Sequence, residues 1–199
     1  MKQLKHRKAF INRWQFTMAV LIALFTISTV HGQVGTPSYL NGTGTSANSF
    51  PFNGSSNKIQ WIYGPGAFTT LGGGAGSPLP GGQNLTKIYI KFSNTVNATN
   101  AVSNITISLG QNVGTINAFP QAPSTTGVSF YTGLTQVFFQ SSFVFTGITA
   151  GAWYGIPLQV PFPYDPSLAL LVEAKVTTTS SGNSVATMTA ISGTSQRLY

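Results

Sequence analysis

Apolar side chains in this chain recur at every second position, in short runs fenced by Gly, Pro, Asn and Ser clusters, rather than at the 3.6-residue spacing of an amphipathic helix. That period admits strands with one buried and one wet face and little else. In residues 85–92 it places Ile88, Ile90 and Phe92 on one side and Lys87, Tyr89 and Lys91 on the other. Ile105, Ile107 and Leu109 alternate in the same way with Thr106 and Ser108. Further strands are expected over residues 59–63, 135–139, 143–148, 154–160, 168–176 and 184–191. In the leucine-rich one, Leu168, Leu170 and Val172 are expected inside, with Glu173 and Lys175 outside as a solvated pair. About eight short strands separated by turn residues suit two packed antiparallel sheets, an all-β sandwich of jelly-roll type, with a closed barrel as the alternative.

The first 32 residues stand apart from this pattern. Lys2, Lys5, Arg7, Lys8 and Arg13 precede an apolar run from Phe16 to Val30, about 15 residues long and short of the roughly 20 that span a bilayer. The run ends in Val30-His31-Gly32, so residues 1–32 read as a signal peptide with cleavage expected between Gly32 and Gln33. The expected location is then secreted or cell-surface, without a membrane span once the leader is removed. Residues 33–57, rich in Gly, Ser and Asn, are expected to be an arm that packs only in part, with an edge strand through Ser49-Phe50-Pro51-Phe52. Residues 58–199 form the expected sandwich domain.

Five of the ten basic residues and both histidines lie in the leader. The mature chain carries Lys58, Lys87, Lys91, Lys175 and Arg197 against Asp165 and Glu173, five minus two or +3, with Lys87 and Lys91 the one close pair. That is too sparse for a nucleic-acid surface. The chain has no cysteine, so burial and backbone hydrogen bonding must hold the fold without disulfides. An exported protein without cysteine fits a bacterial source better than a eukaryotic one, and the Asn-x-Ser/Thr triplets at Asn41, Asn53, Asn84, Asn97 and Asn104 are read as chance in so Asn-, Ser- and Thr-rich a chain.

Chemistry has little to work with. Beyond the leader there is no His or Cys, which removes zinc sites, and two carboxylates are few for the six to eight oxygens of a calcium site. No metal or other cofactor is expected. Asp165, between Tyr164 and Pro166, is expected to bond backbone two residues on and start a turn. A remote alternative, a glycoside-active enzyme, would need Asp165 and Glu173 to converge at roughly 5–10 Å. The chain is therefore expected not to be an enzyme. Two long connections, 64–84 and 112–127, are functional loops or plain surface excursions. Aromatic rings are the remaining currency, since Trp and Tyr faces stack on sugars, and Trp61, Tyr63, Tyr131, Trp153 and Tyr154 are the carbohydrate-binding candidates.

Several strings resemble a known module: Leu134-Thr135-Gln136-Val137-Phe138, then Trp153 with Ile156 and Leu158, then Pro161-Phe162-Pro163-Tyr164-Asp165-Pro166-Ser167 leading into Leu170-Leu171-Val172-Glu173. Upstream, Asn41-Gly42-Thr43-Gly44-Thr45-Ser46 and Ile59-Gln60-Trp61-Ile62-Tyr63 resemble its opening. The module is the N-terminal β-sandwich of exported bacterial surface proteins, including cargo of the type IX secretion system. The resemblance implies a β-sandwich of unassigned biochemical role, usually joined to adhesin-like or enzyme modules, and at least one strand past Tyr199, so that the chain is expected to be truncated. Taken together, the residues and the resemblance point to a non-catalytic structural or adhesive surface module, with polysaccharide or other surface proteins as partners and a carbohydrate-binding module as the alternative.

Overall fold

A computed structural model describes residues 32–41, 46–48, 52, 58–70, 76–93, 95, 102–120, 129–177, 187–189 and 197–198. Residues 1–31 of the leader lie outside them. Twelve strands run through the described residues: β1 Gln33–Val34, β2 Tyr39–Leu40, β3 Ser46–Asn48, β4 Lys58–Tyr63, β5 Thr69–Thr70, β6 Gln83–Lys91, β7 Val102–Gly110, β8 Thr135–Phe143, β9 Trp153–Tyr164, β10 Leu170–Lys175, β11 Thr187–Thr189 and β12 Arg197–Leu198. No helix among them is long and apolar enough to cross a membrane.

The fold is an antiparallel β-sandwich. One sheet has five strands in the order β12-β4-β10-β7-β8, the other three in the order β1-β9-β6, and two small ribbons pair β2 with β5 and β3 with β11. The chain changes sheet between β4 and β6, β6 and β7, β8 and β9, and β9 and β10, as in a jelly roll. Alternation builds the core. Ile59, Ile105, Ile107 and Phe138 of the larger sheet and Tyr154 and Ile156 of the smaller are all buried, with Phe92 just past the end of β6.

Residues 143–148 do not make a strand of their own. β8 runs on to Phe143, and Phe145 is buried from the connection after it as a plug rather than a ladder member, while the buried Ile148 makes a single bridge. The described part of 33–57 is woven into the fold: β1 pairs with β9, β2 with β5 and β3 with β11, and the Phe52 ring is fully buried. The strand expected through Ser49–Phe52 lies mostly outside the described residues.

Glu173 and Lys175 are not a solvated pair. Antiparallel pairing sets Glu173 opposite Gln60 and one step diagonal to Lys58. The Lys58 ammonium sits 2.8 Å from the Glu173 carboxylate, and Gln60 Nε2 donates to the same oxygen at 2.8 Å. The outer face of the larger sheet is covered there by the described parts of the next connection, residues 112–120 and 129–134, whose Val113, Ile116, Phe119, Phe130, Tyr131 and Leu134 pack on Ile62, Ala169, Leu171 and Leu198. That cover makes a second core, and it explains why Leu170 and Leu171, successive residues on opposite faces, are both buried.

Glutamine amides fasten the pieces. Gln60, fully buried, donates to the carbonyl of Tyr131 at 2.8 Å and accepts from its N–H at 2.9 Å. Gln111 treats Asp165 in the same way, donating at 2.7 Å and accepting at 2.9 Å. Gln159 does so for Phe139, with both bonds at 2.9 Å. A primary amide carries the same donor and acceptor as a peptide group, so each side chain acts as one rung of a ladder. Gln159 reaches its partner because the register of β9 against β6 jumps from Pro157↔Lys87 to Phe162↔Leu85, which frees the residues between to lean toward β8. Phe139 lies on β8, an edge strand, and the clamp occupies backbone groups that would otherwise invite another strand.

Burial also marks the tyrosines. Desolvation pushes the Tyr63 phenol from 10.0 up to about 12, and those of Tyr154 and Tyr164 are raised for the same reason, Asp165 adding to the rise at Tyr164. A raised phenol keeps its proton in the folded state where the unfolded chain has already lost it, so this stability is complete below pH 10 and drains away as pH climbs toward 12. The melting temperature is expected to fall across that window, and less steeply for Tyr63→Phe. Equal slopes for the two proteins would contradict the buried position of this phenol.

Candidate functional site

The wet face of the smaller sheet gathers the exposed chemistry. On β6 the period of two turns Ile88 and Ile90 inward and leaves Lys87, Tyr89 and Lys91 outside. Pairing sets Lys87 beside Pro157, Tyr89 beside Gly155 and Lys91 beside Trp153, while β1 brings Gln33 to the other flank of Gly155. Gly155 makes this face flat. A Cβ there would stand 2.7 Å from Tyr89 Cε1 and 2.9 Å from Lys87 Cδ, so the missing side chain is what lets the tyrosine ring lie across β9. The ring extends toward Gly35, whose own Cβ would be in ordinary contact with Tyr89 Cε1 and the hydroxyl at 3.6 and 3.8 Å.

Ammonium groups flank both rings. Lys87 Nζ lies 5.8 Å from the centroid of Tyr89, and Lys91 Nζ lies 5.8 Å from that of Trp153, within the range of cation–π attraction. Trp153 and Tyr89 are diagonal neighbours across the β6–β9 pair, close enough for large side chains to form one surface. Neither described carboxylate shares it. Glu173 is committed to Lys58 and Gln60 on the larger sheet. Asp165 sits in the turn after β9, where its Oδ1 accepts from the Ser167 N–H at 2.9 Å and the Ser167 hydroxyl at 2.6 Å. Those bonds from the Ser167 side chain and backbone hold the Asp165 carboxyl below its ordinary value.

The five aromatic candidates do not form one platform. Trp61 and Tyr63 share a face of β4, and the Tyr63 ring packs on Phe68 at 5.0 Å. Tyr131 lies over the opposite face of the same sheet, against Phe119 at 5.6 Å, with its backbone held by Gln60. Tyr154 is a core residue and not a binding one. Only 3% exposed, it stands edge-on to Phe92, Phe143 and Phe145, because it alternates with Trp153 and takes the inward position. Trp153 alone of the five lies on the wet face of the smaller sheet. Tyr89 joins it there as a residue outside the expected set, although the Lys-x-Tyr-x-Lys alternation already places it on the wet side.

No protein-family model, curated protein or solved structure matches this chain. Its function has to be read from the site. Among the described residues no three His, Cys, Asp or Glu side chains come together as metal ligands. What the Tyr89–Trp153 face offers is ring surface for apolar contact, two ammonium groups for anions and the Gln33 position at its edge.

Proposed function

We propose that this chain is a non-catalytic adhesive module of the exported, cell-surface kind, working through the wet face of its smaller sheet. The observation that carries the reading is the Tyr89 ring laid across Gly155 on the face that also bears Trp153. Burying such rings in the core would have served stability better, as the cluster of Phe and Tyr rings around Phe145 does; surface rings beside lysines serve contact. The leader supports export, and the resemblance to surface-protein modules points the same way.

The same rings favour carbohydrate as what is held. Pull-down on insoluble polysaccharides, combined with a glycan array, tests this. Retention is expected for the protein and for Trp61→Ala, whose side chain belongs to the other sheet, and is expected to fall about tenfold or more for Trp153→Ala, the range for truncating a buried contact aromatic. Retention lost with Trp61→Ala but kept with Trp153→Ala would move the site to the larger sheet.

A further inference from the structure

We infer that the Lys87–Tyr89–Lys91–Trp153 face binds an extended acidic polysaccharide, one bearing carboxylate or sulfate groups. The inference rests on the surface-binding reading and names its ligand. Lys87 and Lys91 lie four residues apart on one side of one strand, about 13 Å along it at ~3.3 Å per residue. Two cations at that separation do not enclose a single small anion, but they match a linear polymer with repeating charge. Both ammonium groups are free of carboxylate partners among the described residues, where Lys58–Glu173 is the one ion pair. Each keeps its hydrogen-bonding capacity for a ligand oxygen, and charge-assisted bonds of that kind are the strong ones.

Rings supply the other half of recognition. Tyr89, half-buried, is pressed against the backbone of Gly155, and Trp153, also half-buried, stands beside Lys91, so apolar sugar faces meet the remaining ring surface while their acid groups meet ammonium. The surface is a sheet face, open along the strands, and suits a chain laid across it. Nucleic acid would call for a denser array of cations than two lysines.

The test uses the purified chain with four soluble probes: polygalacturonate for carboxylate, dextran sulfate for sulfate, uncharged dextran, and single-stranded DNA. Binding to at least one of the two acidic polysaccharides is expected, weakened about tenfold by Lys87→Gln with Lys91→Gln, as for lost charge-assisted bonds, and weakened further as salt approaches 1 M. Gly155→Ala, which removes no polar group but forces Tyr89 off the strand, is expected to weaken it as well. Which of the two acidic probes binds identifies the acid group. Uncharged dextran held as tightly, with the lysine pair irrelevant, would overturn the acidic ligand and leave the surface-binding reading standing. DNA held as tightly as either acidic polysaccharide would overturn the sugar. A folded protein that holds none of the four would overturn the inference, and if it also fails on insoluble polysaccharides the proposed function falls with it.

Discussion

Phe145→Ala is expected to destabilise the fold by about 3–5 kcal/mol, the range for losing a fully buried ring. The ring lies 4.9 Å from Phe52, 5.3 Å from Phe92, 4.9 Å from Phe143 and 5.6 Å from Tyr154. It is therefore the hub where the arm, the end of β6, the end of β8 and the start of β9 meet. Such edge-on pairs add to the area term, and a cavity bordered by four rigid rings cannot collapse to fill itself. Urea unfolding monitored by circular dichroism measures the loss. A shift under about 1 kcal/mol would mean that the ring is not the hub described, since a fully buried Phe→Ala change of that size lies well below the usual range.

Gln60→Leu is expected to cost about 2–3 kcal/mol, from unpaired polar groups rather than from a cavity. The substitution keeps bulk but strips partners from the Tyr131 N–H and carbonyl and from Glu173. Leaving buried donors and acceptors unpaired is the expensive part, and Gln60 is completely buried. The covering connection should loosen first, so the Tyr131 amide is expected to exchange with solvent far faster while amides in β6 and β9 stay protected. Gln159→Leu provides the contrast. Its two bonds to Phe139 have the same form but are exposed, where water replaces them, and the loss should stay below about 1 kcal/mol. Equal losses at the two glutamines would show that burial is not what gives the Gln60 clamp its weight.

Strand identity is legible in the sequence where one face stays wet. The alternation Ile88-Tyr89-Ile90-Lys91 matches the sides that pairing gives β6, with Ile88 and Ile90 beside the buried Ile156 and Tyr154 and with Tyr89 and Lys91 beside Gly155 and Trp153. It is less legible where both faces are covered. Leu171 has the spacing of an outward position, since only a long-range event, the packing of Val113, Ile116, Phe119 and Tyr131 over that face, puts it inside. Phe145 has the spacing of a strand residue, because apolar periodicity alone does not separate a ladder from a plug.

The candidate site is legible by residue type but not by side. Trp153 and Tyr154 are adjacent aromatics, and nothing local says which faces the core; the pairing of Trp153 with Lys91 and of Tyr154 with Ile90 decides it. Tyr89 is hidden by its neighbours, since lysines on a strand usually signal only a solvated side. Its significance depends on Gly155, which is far away in sequence and adjacent in space. The glutamine clamps leave no trace in local pattern, because a Gln that imitates a peptide group has no preferred spacing to the residue it holds.

Binding on the wet face of the β1-β9-β6 sheet is the proposition on which both the function and its ligand depend. Titrating the isotope-labelled protein with polygalacturonate while recording backbone amide shifts probes that face residue by residue. Perturbations are expected to concentrate at residues 87–91 and 153–157, with the 112–134 connection and the Asp165 turn unmoved. Shifts confined to that connection, or centred on Asp165 and Glu173, would contradict the assignment.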